Sequence, residues 1–251
     1  MPAVLPLNLL PATFLTAEWR YLAFLNYEVD PGILAPLVPS GTELDDRDGR
    51  VFVSMVGFRF LKTRVCGVPF PFHQNFDEVN LRFYVRRRVP GESGWRRGTV
   101  FVREIVPRWL VATTARWLYN EPYLCCPMAH GVDHHANTLR TEYRWRFGGR
   151  WQSLAVEADG GEPGPIPPGS EVDFITDHFW GYNRQRTGPT MEYEVRHPRW
   201  GMWTGRKYSF DCDVAKLYGP EFAPFLAREP ASFFVASGAP VSIRRGERLR
   251  A

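Results

Sequence analysis

Two carboxylates sit inside strand-like runs of this chain and offer its first chemistry. Glu78 opens the run Glu78-Val-Asn-Leu-Arg-Phe-Tyr-Val85, and Glu104 lies in Gly98-Thr-Val-Phe-Val-Arg-Glu-Ile-Val-Pro107. A carboxylate withdrawn from water has a raised pKa and can donate or accept a proton near neutrality. An arginine, here Arg103, supplies a planar fork for a carboxylate or an enolate. Tyr84 and His197 add a phenol and an imidazole. Glu78 and Glu104 are therefore the candidate catalytic residues, with Arg103, Tyr84 and His197 as candidate ligand-binding residues.

These side chains need strands to aim them. In the first run Glu78, Asn80, Arg82 and Tyr84 point one way, and Val79, Leu81, Phe83 and Val85 the other. Taken alone, the pattern also fits a solvated sheet face. In the second run a regular strand puts Val100, Val102, Glu104 and Val106 on one face, so Glu104 takes a place expected for a core residue. A charge there needs a partner or a shifted pKa. Arg103 faces the opposite way, so the partner must come from another strand. Between the runs, RRRVPGESGWRR over 86–97 is expected to form a solvated hairpin turn and not a phosphate site.

Other chemistries find little support. His130 and His134 are four apart, with Asp133 and His135 nearby, but this is a ligand pair only on a helix. Gly131 and Asp133 indicate a turn with solvated histidines, so no metal is expected, with zinc, through the nearby Cys125 and Cys126, as the lesser alternative. There is no GxSxG elbow, P-loop or GxGxxG fingerprint, and no cofactor is expected. The lysines are Lys62, Lys207 and Lys216. The net charge of +4 forms no stripe of the kind that binds nucleic acid. Four cysteines without framework spacing read as reduced thiols of a cytoplasmic protein. No apolar run approaches the ~18 residues that span a membrane. Pro6, Pro11 and the missing basic start argue against a secretory leader.

The chain of 251 residues is 44% hydrophobic and 15% aromatic, and reads as one domain over 1–251. Strands are expected at Trp19–Val29, Arg50–Lys62, Tyr123–Asp133, Thr138–Phe147, Trp151–Glu157 and Ser232–Ile243, besides the two runs above. Arg50–Lys62 is apolar on both faces and so is expected to be central. Met191–His197 and Gly201–Phe210 read as a hairpin. Helices are expected from Asp30-Pro31, over Pro107–Asn120, from Ser170-x-x-Asp173 through Tyr182, and over Asp213–Tyr218. Roughly ten strands with scattered helices make an α+β protein built on a large, mostly antiparallel sheet or barrel.

Residues 19–45, 50–61, 72–85 (FHQNFDEVNLRFYV), 99–107 (TVFVREIVP), 174–182 (FITDHFWGY) and 195–200 (VRHPRW) together resemble the YqjF-like family of uncharacterised bacterial proteins, over about 17–243. That family is grouped with the acetoacetate decarboxylase-like superfamily. The resemblance implies a cone-shaped, mostly antiparallel β-barrel with peripheral helices and a buried central cavity. It implies that Glu78 and the pair Arg103-Glu104 match acidic and Arg-Glu positions of the decarboxylases. Their Schiff-base lysine, carried over without a gap, falls on Leu110. Arginine cannot replace that amine, because it keeps its proton. Acetoacetate decarboxylase activity is therefore not expected. The expectation is a small carboxylate- or carbonyl-bearing ligand held in the barrel. Two alternatives stay open: a lyase or hydrolase using Lys207 or Lys216, and a structural protein whose barrel is filled by its own aromatic side chains. Homo-oligomerisation is also open, since sheet edges need covering.

Overall fold

A computed structural model describes residues 12–69, 73–107, 122–135, 137–185 and 188–249. Among them the chain forms 17 strands. In the first half these are β1 (Thr13–Val29), β2 (Glu43–Leu44), β3 (Val51–Val65), β4 (Val68–Pro69), β5 (Phe76–Arg88), β6 (Trp95–Val106) and β7 (Tyr123–Cys125). Then come β8 (Met128–His135), β9 (Thr138–Phe147), β10 (Arg150–Asp159), β11 (Gly164–Pro165), β12 (Trp180–Asn183) and β13 (Met191–Arg196). The last are β14 (Gly201–Asp211), β15 (Ser232–Ala236), β16 (Pro240–Arg244) and β17 (Glu247–Arg248). Short α-helices cover Pro31–Leu34, Glu171–Thr176, Val214–Leu217 and Ala223–Leu226.

Seven strands close on themselves. β1, β3, β5 and β6 pair antiparallel in succession, and β6 meets β12 in parallel. β12 pairs with β13, β13 with β16, and β16 returns to β1. Closure removes the exposed edges that an open sheet would present. A second sheet, β8–β9–β10–β14–β15, joins at β1 and covers the outside of β3 and β5. β1 serves both layers: residues 13–18 pair with β16 and residues 22–26 with β15, across an irregularity at Tyr21, whose φ is 54°.

This layering explains the strand that is apolar on both faces. Phe52, Val56, Phe58 and Phe60 of β3 belong to the barrel interior, beside Phe24, Phe76 and Trp200. Val53 and Met55 belong to the outer layer, beside Leu139, Trp145 and Val156. The expected hairpin turn between β5 and β6 is present, and Gly148-Gly149 makes another between β9 and β10.

Several expected elements are differently arranged. The helix that Ser170 caps ends at Thr176 and does not reach Tyr182; the Ser170 hydroxyl accepts the Asp173 amide at 3.1 Å. Residues 180–183 instead become β12, where pairing with β6 and β13 closes the barrel. Gly98 permits this approach, since a Cβ there would lie 2.6 Å from the Trp180 carbonyl oxygen. β13 and β14 are not a hairpin: the first pairs within the barrel and the second within the outer sheet. Ser232–Ile243 is divided by Gly238, whose φ is 73°. Cys126-Pro127 divides Tyr123–Asp133. His130, His134 and His135 lie on β8 and not in a turn, and His130 Nδ1 is 2.8 Å from Asp77 Oδ2. The helix expected over 107–120, with Leu110, lies outside the described residues. Among the described residues no helix is long and apolar enough to cross a membrane.

Candidate functional site

The register of β5 against β6 sets the site. Asn80 pairs with Glu104 and Leu81 with Arg103, but Arg82 pairs with Phe101. Val102 is left over as a β-bulge, which re-aims the side chains after it. Thr99, Phe101 and Glu104 therefore share the inner face with Glu78, Asn80 and Arg82. The uniform alternation expected for 100–106 is broken at this point. Val100 and Val102 pack in the outer layer instead. Arg103 faces the same outer layer, where its charge acts on Cys126 and Tyr218.

Inside the barrel is a cavity of about 80 Å³, so the aromatic side chains do not fill it. That volume holds roughly half a dozen water-sized atoms. Glu78 is 2% exposed and Glu104 3%. Both line the cavity. As diagonal neighbours on one face they are roughly 7 Å apart at the backbone. Glu78 is held by the Asn80 amide at 2.9 Å and the Tyr123 hydroxyl at 3.3 Å.

Arg82 is the cation of this cavity. It is 8% exposed. Its guanidinium lies over the rings of Phe24 at 5.1 Å and Tyr84 at 5.8 Å. Among the described residues no carboxylate lies within ion-pair distance of it, and its Nε has no hydrogen-bond partner. Two more lining residues, Trp19 and Trp200, carry buried indole N–H groups without an acceptor among the described residues. A buried donor left unpaired is costly, so these three mark where an acceptor fits.

His178 lines the same cavity from the segment between the Glu171–Thr176 helix and β12. Its Nε2 lies 3.1 Å from Asp45 Oδ2, the atom that also accepts from Arg97 Nε at 2.6 Å. Burial drives the His178 imidazole down to about 4, against the opposing hydrogen bond to Asp45. Burial alone would raise Asp45, but the hydrogen bonds from His178 and Arg97 outweigh it and hold the carboxyl below its ordinary value. At neutral pH the pair is thus a carboxylate and a neutral imidazole.

The other candidates divide. His197 lines the cavity and two outer clefts, so it stands in the wall between cavity and solvent. It stacks on Trp200 at 4.3 Å and gives its Nδ1 proton to the Pro198 carbonyl. Tyr84 does not line the cavity. It sits behind His178, ring centres 4.5 Å apart, with its hydroxyl 2.6 Å from Ser54 Oγ. The lysines lie on the surface: Lys62, Lys207 and Lys216 side chains are 76%, 79% and 76% exposed, and pair with Glu18, Glu157 and Asp213. Neither Lys207 nor Lys216 lines the cavity. The four cysteines are free, and the described residues contain no group of acidic, cysteine and histidine side chains that could hold a metal.

Arg82, Asp45 and His178 were not singled out by the sequence reasoning. Arg82 had a signal, since it shares the Glu78 face in strict alternation. His178 lies in a run so aromatic that core packing is its ordinary reading, and Asp45 is one of many loop acids.

The closed barrel with its covering sheet is the architecture of acetoacetate decarboxylase-like proteins. The acetoacetate decarboxylase of Legionella pneumophila is similar over 100% of this chain and 92% of its own, with a TM-score of 0.63 and 14% identity. The enduracididine biosynthesis enzyme MppR, solved with pyruvate, is similar over 96% of this chain and 92% of its own, with a TM-score of 0.63 and 14% identity. Identity this low carries the fold alone. The family model DUF2071, described as "Uncharacterized conserved protein", matches residues 16–240, and the chain belongs to that family. The protein YqjF of Bacillus subtilis (strain 168) is 32% identical over 111 residues, which is 44% of this chain and 43% of YqjF. That match thus spans less than half the length of YqjF.

Proposed function

We propose that the barrel cavity binds a small organic acid, with its carboxylate on Arg82 and its reactive carbon near Glu78 and Glu104. One observation carries this reading: Arg82 is a buried cation that faces the cavity with no ion-pair partner among the described residues. A desolvated guanidinium is stabilised by a carboxylate far more than by water-sized neutral ligands. The unpaired indole N–H groups of Trp19 and Trp200 suit a second oxygen of the same ligand. A cavity of about 80 Å³, with room for roughly half a dozen water-sized atoms, suits a small acid in close contact with its walls. The pyruvate bound by MppR is an acid of this class.

In this reading Arg82 takes the anion-binding role expected of Arg103. Glu78 and Glu104, both desolvated, hold or move a proton at the ligand, and His197 controls access from the outer clefts. Tyr84 stiffens the wall behind His178. Lysine chemistry plays no part, because the surface lysines are remote from the cavity. The free cysteines suit the reducing cytoplasm.

The test is calorimetric titration of the full chain with pyruvate, lactate, acetoacetate and 3-hydroxybutyrate, each beside its uncharged amide. At least one acid is expected to bind, and its amide at least about 10-fold more weakly. Equal binding of acid and amide, or no binding by any acid of the set, contradicts the proposal.

A further inference from the structure

We infer that His178, oriented by Asp45, makes the cavity select a hydroxy acid over the corresponding oxo acid. The inference rests on the acid-binding reading of the cavity and names its substrate class. It starts from the proton positions that the hydrogen bonds impose. Asp45 accepts two hydrogen bonds at Oδ2, from Arg97 and His178, and an ionised carboxylate can only accept. The proton on His178 therefore sits on Nε2, and Nδ1 carries a bare lone pair.

That nitrogen is buried and has no hydrogen-bond partner among the described residues. The whole residue is 7% exposed and lines the cavity. Its ring has little freedom, with Tyr84 4.5 Å away on one side and Phe174 edge-on at 5.4 Å. Burial keeps the imidazole neutral at pH 7, so it cannot turn into a donor by taking up a proton. A second buried acceptor without a partner among the described residues, Asn80 Oδ1, belongs to a residue lining the same space, because the Asn80 amide nitrogen is committed to Glu78.

Arg82 and His178 both lie against Tyr84, so a ligand whose carboxylate sits on Arg82 has its next carbons close to His178. A hydroxyl there donates to Nδ1. A carbonyl oxygen in the same place sets one lone pair against another and leaves the nitrogen unpaired. Sites built to bond a hydroxyl discriminate strongly against analogues that lack it. Asp45 is here a positioning residue, acting through the tautomer that it imposes on His178.

The test compares lactate with pyruvate, and 3-hydroxybutyrate with acetoacetate, by calorimetry on the full chain. In the wild type the hydroxy acid of at least one pair is expected to bind roughly 10-fold or more tightly than its oxo partner. Asp45→Ala removes the acceptor that holds the imidazole proton on Nε2, so that preference is expected to shrink or disappear while pyruvate still binds. Imidazole nitrogen NMR on the wild type gives an answer that needs no variant: His178 is expected as the Nε2–H tautomer. An Nδ1–H tautomer overturns the inference, as does oxo-acid binding equal to or tighter than hydroxy-acid binding in both pairs. Acid binding that depends on Arg82 but ignores the hydroxyl overturns this inference alone. No acid binding at all overturns the acid-binding reading and this inference with it.

Discussion

Asn80 and Glu104 face each other across the β5–β6 ladder, and both reach the barrel cavity because Val102 is one residue more than the ladder needs. Without the bulge, Glu104 would follow the parity of Val100 and Val102 into the outer layer. The bulge thus puts a second carboxylate beside Glu78.

Deletion of Val102 is therefore expected to be tolerated. It removes the spare residue and leaves Phe101, Arg103 and Glu104 on their present faces. The stability loss in urea denaturation should stay within about 3 kcal/mol, the ordinary range for a single change. Deletion of Val100 also lets the ladder close without the bulge, but only by exchanging the faces of Phe101 and Val102 and removing a buried side chain, so it should cost more, above about 4 kcal/mol. Equal losses in the two deletions would contradict the assigned register.

His178 should make stability depend on acid. Its folded value of about 4 lies below the ordinary 6.5. Between these values the unfolded chain binds a proton that the folded chain does not, so stability rises with pH across that window. The contribution is complete above pH 6.5 and is lost as pH falls toward 4. Its size is on the order of 1–3 kcal/mol. His197, also lowered chiefly by burial, acts in the same sense. Urea midpoints from pH 7 to 4.5 should therefore fall more steeply in the wild type than in His178→Gln. Parallel curves would show that His178 is protonated normally.

Borohydride reduction in the presence of pyruvate or acetoacetate should leave the protein mass unchanged at neutral pH. Each lysine side chain is exposed and paired with a carboxylate, and none lies in an apolar pocket of the kind an amine nucleophile needs. A stoichiometric adduct on Lys62, Lys207 or Lys216, found by peptide mass spectrometry, would overturn the lysine-free reading.

Much of the barrel was legible because period-two alternation is a local property. It assigned the inner face of β5 correctly from Glu78 to Tyr84, and the two apolar faces of β3 announced a strand covered on both sides. What failed was non-local. The bulge at Val102 depends on the partner strand, and no residue type marks it. The division of labour between β13 and β14 depends on which layer each strand joins. Trp180–Tyr182 looks helical in continuation from Ser170 until the unsatisfied edges of β6 and β13 are in view. The same limit applied to the site. Glu78, Glu104 and His197 line the cavity, but Arg103 was preferred to Arg82 because the resemblance matched Arg103-Glu104 to an Arg-Glu pair, although adjacent strand residues face apart. Asp45 and His178 are 133 residues apart, and only the fold brings them together.

The central claim is that Arg82 is the anion receptor of the barrel cavity. Its most direct test is calorimetric titration of the tightest-binding acid of the set into wild type and Arg82→Met, with thermal melts to show that both are folded. Methionine keeps much of the apolar stem and removes the charge. The account predicts a loss of affinity of roughly 10- to 100-fold in Arg82→Met, as for a hydrogen bond to a charged group. Unchanged affinity in a folded Arg82→Met protein would contradict it.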